Sequence, residues 1–409
     1  MTILPKKKLK QRSGSRGAPA RLYAPYKSIT TAEMRASLLL FTVYHSAVCY
    51  LQPRSPRRPL SRPALRALSP LETAIASNDV DAVVDALEDD ASVPIDRSLA
   101  VAALDKAAAV TPDSSDGEQF AAAFEEARLV RAYQALRRRG LAPSFGVAID
   151  EPFPLSQGAS EEQIAREAGD LTLAAFRPKD GAGRMFAILG AVVCGAEIAA
   201  AKALGLDSPQ PLFLATAGLA AFDTIALKGA LAESITSAVD SSYADRIVRH
   251  EAGHLLLAYL CGLPVQGCVL SAREALAGEG SGAAALNGAA GTAFFDPELN
   301  AAARRGRITR SVIDRYCIVV MGGIAAEAVS YGSAEGGKDD ETALISFLQD
   351  TVGFTGDVLV QARMSALNGV ILLRRHRAEF ERLVKVLERD RATSIGAAVL
   401  SIDDVAATA

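Results

Sequence analysis

The stretch RHEAGHLLLAYLCG, residues 249–262, sets His250 and His254 four residues apart and puts Glu251 directly after the first histidine. Extended backwards to YADRIVRHEAGHLLLAYLCG, residues 243–262, it reads as one helix that stops at Gly262, with Pro264 beyond. At helical spacing His250 and His254 fall in one sector with Ile247 and Ala258, and Glu251 lies beside them. The remaining faces carry Val248, Leu255, Leu256 and Tyr259, so the helix is expected at the centre of the molecule. Two histidines buried there without partners would be costly. Two imidazoles on one helix face can share a zinc ion, and a glutamate next to them can serve as general base for water. A catalytic zinc needs a third protein ligand, and no histidine follows at short spacing. His376, in LLRRHRAEFERL, sits in an Arg-rich amphipathic segment and reads as a solvated residue.

Two downstream blocks bear on the missing ligand. ITRSVIDRYCIVVMGGIAAEAVSYG, residues 308–332, is followed by SAEGGKDDETALISFLQ, residues 333–349. With the HEAGH helix they resemble the peptidase domain of FtsH-type membrane proteases, in which HEAGH is followed by a GGxAAE helix and then a TGAxND segment that opens another helix. The resemblance spans residues 243–404, strong in the three motifs and loose between them. It implies a mainly α fold with a small β element. It also implies a zinc centre of His250, His254 and Asp340, with Glu251 as catalytic base and Glu327 orienting a zinc histidine from behind. This chain has Asp339 where the family has asparagine, so either Asp339 or Asp340 fits the ligand position, Asp340 being the better match. Both also fit a plain capping role at a helix start. GTAFFDP, residues 291–297, resembles the family strand that lies beside the cleft, and a plain core strand fits it equally.

The departures from the family are as informative. FtsH proteases carry an ATPase module, and no GxxxxGK[ST] phosphate loop occurs in these 409 residues. The layout resembles the ATPase-less FtsH-like proteins of plant and algal plastids. The implied activity is a zinc metalloendopeptidase that hydrolyses peptide bonds of unfolded or membrane-associated proteins through a zinc-activated water, without its own motor. The alternative is a non-proteolytic scaffold or subunit of an FtsH-type assembly. Partners implied are protein or peptide substrates and either an FtsH-type ATPase or further copies of this chain.

Charge separates a leader from the body. Residues 1–70 hold 14 Lys/Arg against the single acid Glu33, leaving 30 basic and 46 acidic residues in the remainder. An acidic body lacks the clustered basic surface that a nucleic-acid partner needs. Residues 34–49 have signal-peptide character, and residues 50–70 are rich in Arg, Ser and Pro, as in a transit peptide. Together they resemble a two-part plastid address, so the expected localisation is the plastid (chloroplast). Residues 71–140 read as three helices without chemistry, and 141–182 as a linker with a short helix capped by Ser160 and Gln163. Residues 183–236 form an apolar hairpin that approaches spanning length, yet holds Glu197, Lys202, Asp223 and Lys228. A membrane hairpin and a buried soluble hairpin both fit this composition. The five cysteines lack CxxC spacing and read as reduced thiols.

Overall fold

The structure, a computed structural model, describes residues 69–404 except 90–93, 110–117, 150–152, 156–159, 170, 172, 179–180, 228–229, 279–285 and 287–289. All but the last two residues of the leader, and with them the plastid address, lie outside the described residues. Among those described are 17 α-helices and one two-stranded sheet, so the protein is mainly α.

PLETAIASNDVDAVVDAL, residues 70–87, which reads as the first of the three helices, forms two. Ser69 and Glu72 form a capping box for α1 (Pro70–Ser77), which ends where Asn78 turns left-handed at φ 60°, and the Asp79 carboxylate then caps α2 (Val80–Glu88). The polar run Ser77-Asn78-Asp79 offers stop and start signals together, and these interrupt the apolar periodicity that suggested one helix. α3 (Arg97–Ala108) and α4 (Glu118–Arg138) complete the group, with Val83, Leu104 and Leu136 fully enclosed.

Described residues between 141 and 182 pack against the body at several points. Phe145 sits between Tyr133 and Tyr259, at ring-centre distances of 4.6 and 5.5 Å. The Leu155 amide donates to Asn368 Oδ1 at 3.0 Å, and Asn368 Nδ2 donates back to the Leu155 carbonyl at 2.9 Å. α5 (Glu161–Ala168) carries the expected Ser160–Gln163 capping box.

The apolar segment forms α6 (Gly181–Ala203) and α7 (Gln210–Ala226), followed by α8 (Ala230–Val239). Among the described residues no single helix is long and apolar enough to cross a membrane, and one bent pair, Gln210–Ala226 with Ala230–Ser237, meets that requirement by length and composition. Asp223 is buried and its two oxygens accept from the Leu231 and Ala232 amides at 2.9 and 3.0 Å, so it serves the start of α8. Glu197 accepts from the Thr216 hydroxyl and ties α6 to α7. Both acids that break the hydropathy pattern thus have intramolecular partners.

α9 (Ser241–Leu260) follows, capped by Asp240 and ended by Gly262 at φ 70°. Leu255, Leu256, Leu257, Tyr259 and Leu260 are wholly buried on it, as a helix apolar on every side requires. Strand β1 (Val265–Val269) comes next, then α10 (Ala272–Ala277) and β2 (Gly291–Phe294). The strands pair antiparallel with Cys268 opposite Thr292 and a register shift between Val265 and Gly267. α11 (Pro297–Arg304), α12 (Arg310–Val320), α13 (Gly322–Tyr331) and α14 (Lys338–Ser346) succeed one another. α15 (Val358–Arg375), α16 (Arg377–Arg389) and α17 (Ile395–Ser401) close the chain.

Two features of this body position the site. α9 crosses α13 at glycines: a Cβ on Gly253 would lie 2.5 Å from the Gly322 carbonyl oxygen, so no larger side chain fits without displacement. At the end of β2, Asp296 caps α11 and holds Arg315 of α12 at 2.7 Å in a buried ion pair. α1–α4 share the same hydrophobic core. Tyr133 donates to the Val265 carbonyl at 3.1 Å and Asp105 accepts from the Gly396 amide at 2.7 Å, so residues 71–140 and the HEAGH body form one packed unit.

Candidate metal centre

His250 and His254 stand one turn apart on the middle of α9, and their rings meet edge to face at 4.9 Å. Each ring is held from behind. His254 Nδ1 is 2.8 Å from the Val319 carbonyl, which can only accept, so Nδ1 carries the proton and Nε2 is left facing the centre. His250 Nδ1 is 2.8 Å from Glu327 Oε1, and again Nε2 faces inward. The two Nε2 atoms lie 3.2 Å apart. Asp340, in the first turn of α14, places Oδ2 at 2.9 Å from His250 Nε2 and 3.3 Å from His254 Nε2. The three ligand atoms all fall within 4.8 Å of one another.

Asp339 is exposed and stands outside this cluster, although it lines the same cavity. Neither aspartate is the helix cap, a position taken by Gly337. Of the pair, Asp340 is the one that reaches both imidazoles. His376 lies between α15 and α16, 3.9 Å from Glu379, and takes no part. Of the cysteines among the described residues, Cys194 is exposed and Cys261, Cys268 and Cys317 are buried; all four are free thiols.

Glu327 is 2 % exposed and fully used. It accepts from the Glu335 amide at 2.9 Å and the Gly336 amide at 3.2 Å, and pairs with Arg246 at 3.2 Å. Arg246 lies four residues before His250 on the same helix face, with its guanidinium over the Tyr331 ring at 4.2 Å. Gly323 leaves room for the imidazole, since a Cβ there would sit 2.1 Å from His250 Nε2.

Burial disfavours charge on all these groups, depressing the imidazoles and raising the carboxyls, but mutual pairing wins. Asp340 and Glu327, hydrogen-bonded to opposite sides of His250, hold it well above its ordinary value, and the Asp340 charge raises His254. In return, His254 and His250 hold Asp340 far below the usual carboxylate range, and His250 lowers Glu327. Two imidazole nitrogens and one carboxylate oxygen, their far sides fixed by partners, form a donor set that suits a divalent ion such as zinc.

Glu251 is nearly buried beside the cluster, and its Oε2 accepts from the Thr292 hydroxyl of β2 at 2.7 Å. The histidines, Glu251 and Asp340 line a cavity of about 780 Å³ that also includes Gly291, Thr292, Phe294 and Tyr316. Strand β2, expected beside the cleft, thus forms part of its wall. Arg246 was within reach of the helical spacing, being one turn before His250. Thr292 and the Val319 carbonyl carried no signal in the sequence, because their roles depend on elements that meet only in space.

No protein-family model, no curated protein and no solved structure matches this chain.

Proposed function

We propose that the chain is a zinc metalloendopeptidase of the FtsH type that acts without a motor of its own. The observation that carries this reading is the convergence of His250, His254 and Asp340 from α9 and α14 onto one point of the cavity wall, with Glu251 next to it. A zinc ion held by these three residues would supply Lewis-acid activation of water and of the scissile carbonyl. The chain's own groups do the rest. Glu251 takes the proton of the attacking water and returns it to the leaving amide nitrogen. Glu327 and the Val319 carbonyl keep the two imidazoles oriented with Nε2 inward. Among the described residues β2 pairs only with β1, so its other edge offers main-chain groups to an extended peptide.

Substrates on this reading are unfolded or membrane-associated polypeptides, with an FtsH-type ATPase or a second copy of the chain as partner. The leader would direct the protein to a plastid, which a reporter fused to residues 1–70 tests in a plastid-bearing cell. The decisive experiment is metal analysis of the purified chain, together with degradation of unfolded casein by the wild type and by Glu251→Gln. One zinc per chain, casein cleavage, and loss of cleavage but not of zinc in Glu251→Gln are expected. Absence of bound zinc, or full activity in Glu251→Gln, would overturn the assignment.

A further inference from the structure

We infer that Thr292 is a positioning residue for the general base: its hydroxyl holds one oxygen of Glu251 and leaves the other for proton transfer. This rests on the peptidase reading of Glu251. Thr292 Oγ1 lies 2.7 Å from Glu251 Oε2, a distance at which a hydroxyl hydrogen bond to a carboxylate is close and charge-assisted. Thr292 in turn is backed by its cross-strand partner Cys268, whose Sγ is 3.6 Å from the same hydroxyl oxygen. Burial pushes the Cys268 thiol up to about 12, so it stays protonated. The Thr292 hydroxyl has three acceptors within reach, Glu251 Oε2 at 2.7 Å, the Glu251 carbonyl at 3.4 Å and Cys268 Sγ at 3.6 Å, and its proton is directed at the nearest of them, Oε2.

The geometry assigns the small sheet a task in the chemistry. Cys268 of β1 and Thr292 of β2 face each other across the ladder, and β2 runs along the cavity wall beside α9. A carboxylate attached by a flexible glutamate side chain has several rotamers, and a base must sit within hydrogen-bond reach of the proton it takes. Fixing Oε2 from the sheet selects one rotamer and keeps Oε1 free. The Asp296–Arg315 ion pair at the strand's end holds β2 in place for this.

The test uses the full chain loaded with zinc and an internally quenched unstructured peptide. Thr292→Val, which keeps the shape and removes the hydroxyl, is expected to lower kcat by about 10- to 100-fold while KM stays within about twofold. Thr292→Ser should restore most of the rate, and Thr292→Val placed on Glu251→Gln should add no further loss. Full kcat in Thr292→Val overturns the inference, as does an equal additional loss in the Glu251→Gln background. A second measurement does not depend on activity. In urea unfolding of the metal-free chain, the midpoint losses of Thr292→Val and Glu251→Ala should be less than additive in the double variant, and strict additivity would overturn the inference. Failure of the peptidase reading looks different: Glu251→Gln would retain the full rate, or the wild type would cleave nothing, while the unfolding coupling persists.

Discussion

At Gly323 a single hydrogen atom in place of a side chain decides whether His250 has room. A Cβ there would overlap the imidazole, 2.1 Å from Nε2, so Gly323→Ala should weaken zinc binding by at least about tenfold, measured by competition with a chromogenic chelator. Among the ligands, Asp340→Asn should lower zinc occupancy far more than Asp339→Asn, because only Asp340 lies against the imidazoles and an amide is the poorer zinc donor. The pairing also sets a pH dependence. His250 and His254 are raised, so the stability they contribute to the metal-free chain is present below about pH 6.5 and lost as pH climbs through their folded values. Asp340 and Glu327 are lowered, so theirs is present above about pH 4 and lost as pH falls through their folded values. Thermal unfolding of metal-free protein should therefore be most resistant from weakly acid pH upwards until the histidines lose their protons. Zinc must displace those protons, so the rise in Tm on adding zinc should grow with pH. A zinc-induced shift that shrinks with rising pH between weakly acid and neutral would contradict this cluster as the binding site.

Elements cross where the side chains let them, and the α9–α13 contact shows the cost of change. Gly253 and Gly322 bring the two backbones together, with a Cβ on Gly253 only 2.5 Å from the Gly322 oxygen and 2.5 Å from the Ala326 Cβ. Gly253→Ala should destabilise the fold by about 1–3 kcal/mol and shift His250 relative to Glu327, so chemical unfolding and zinc affinity should fall together. The Arg315–Asp296 pair at the β2 end follows a different rule. Both side chains are buried, so Arg315→Ala strands a carboxylate and should cost about 3–5 kcal/mol, read from the urea midpoint. Asp223 accounts for the start of α8. Its oxygens accept from the Leu231 and Ala232 amides, so an acid inside the apolar run serves the next helix.

For the molecule as a whole, the proposed activity is limited by access. On the proposed reading an extended segment would enter the cavity of about 780 Å³ along the strand in its wall, and a domain with about 5–15 kcal/mol of stability opens such segments rarely. No phosphate-binding loop is present in the 409 residues to drive opening. The purified protein should degrade a denatured substrate, spare the same substrate when folded, and respond to ATP in neither case. ATP-stimulated cleavage of the folded form without a partner would overturn this. Large apolar side chains on α6 and α7, among them Ile188, Val192, Leu214 and Ile225, are mostly exposed.

By itself the chain's sequence determined the helical class, the central buried helix and the pairing of His250 with His254, because each depends on spacing along one element. Capping signals at Ser160 and the stop at Gly262 are local for the same reason. It narrowed the third ligand to two neighbours, since adjacent residues on a helix differ in direction and not in composition. Only the tertiary structure decided the rest. It put Asp340 rather than Asp339 within reach of both imidazoles, because the start of α14 is brought beside the two histidines only in space. It drew the supposed linker and the first four helices into a common core, through contacts such as Phe145 with Tyr259 that link residues distant in the chain. It also placed Thr292 under Glu251, a contact between a strand and a helix 41 residues apart that no periodicity encodes.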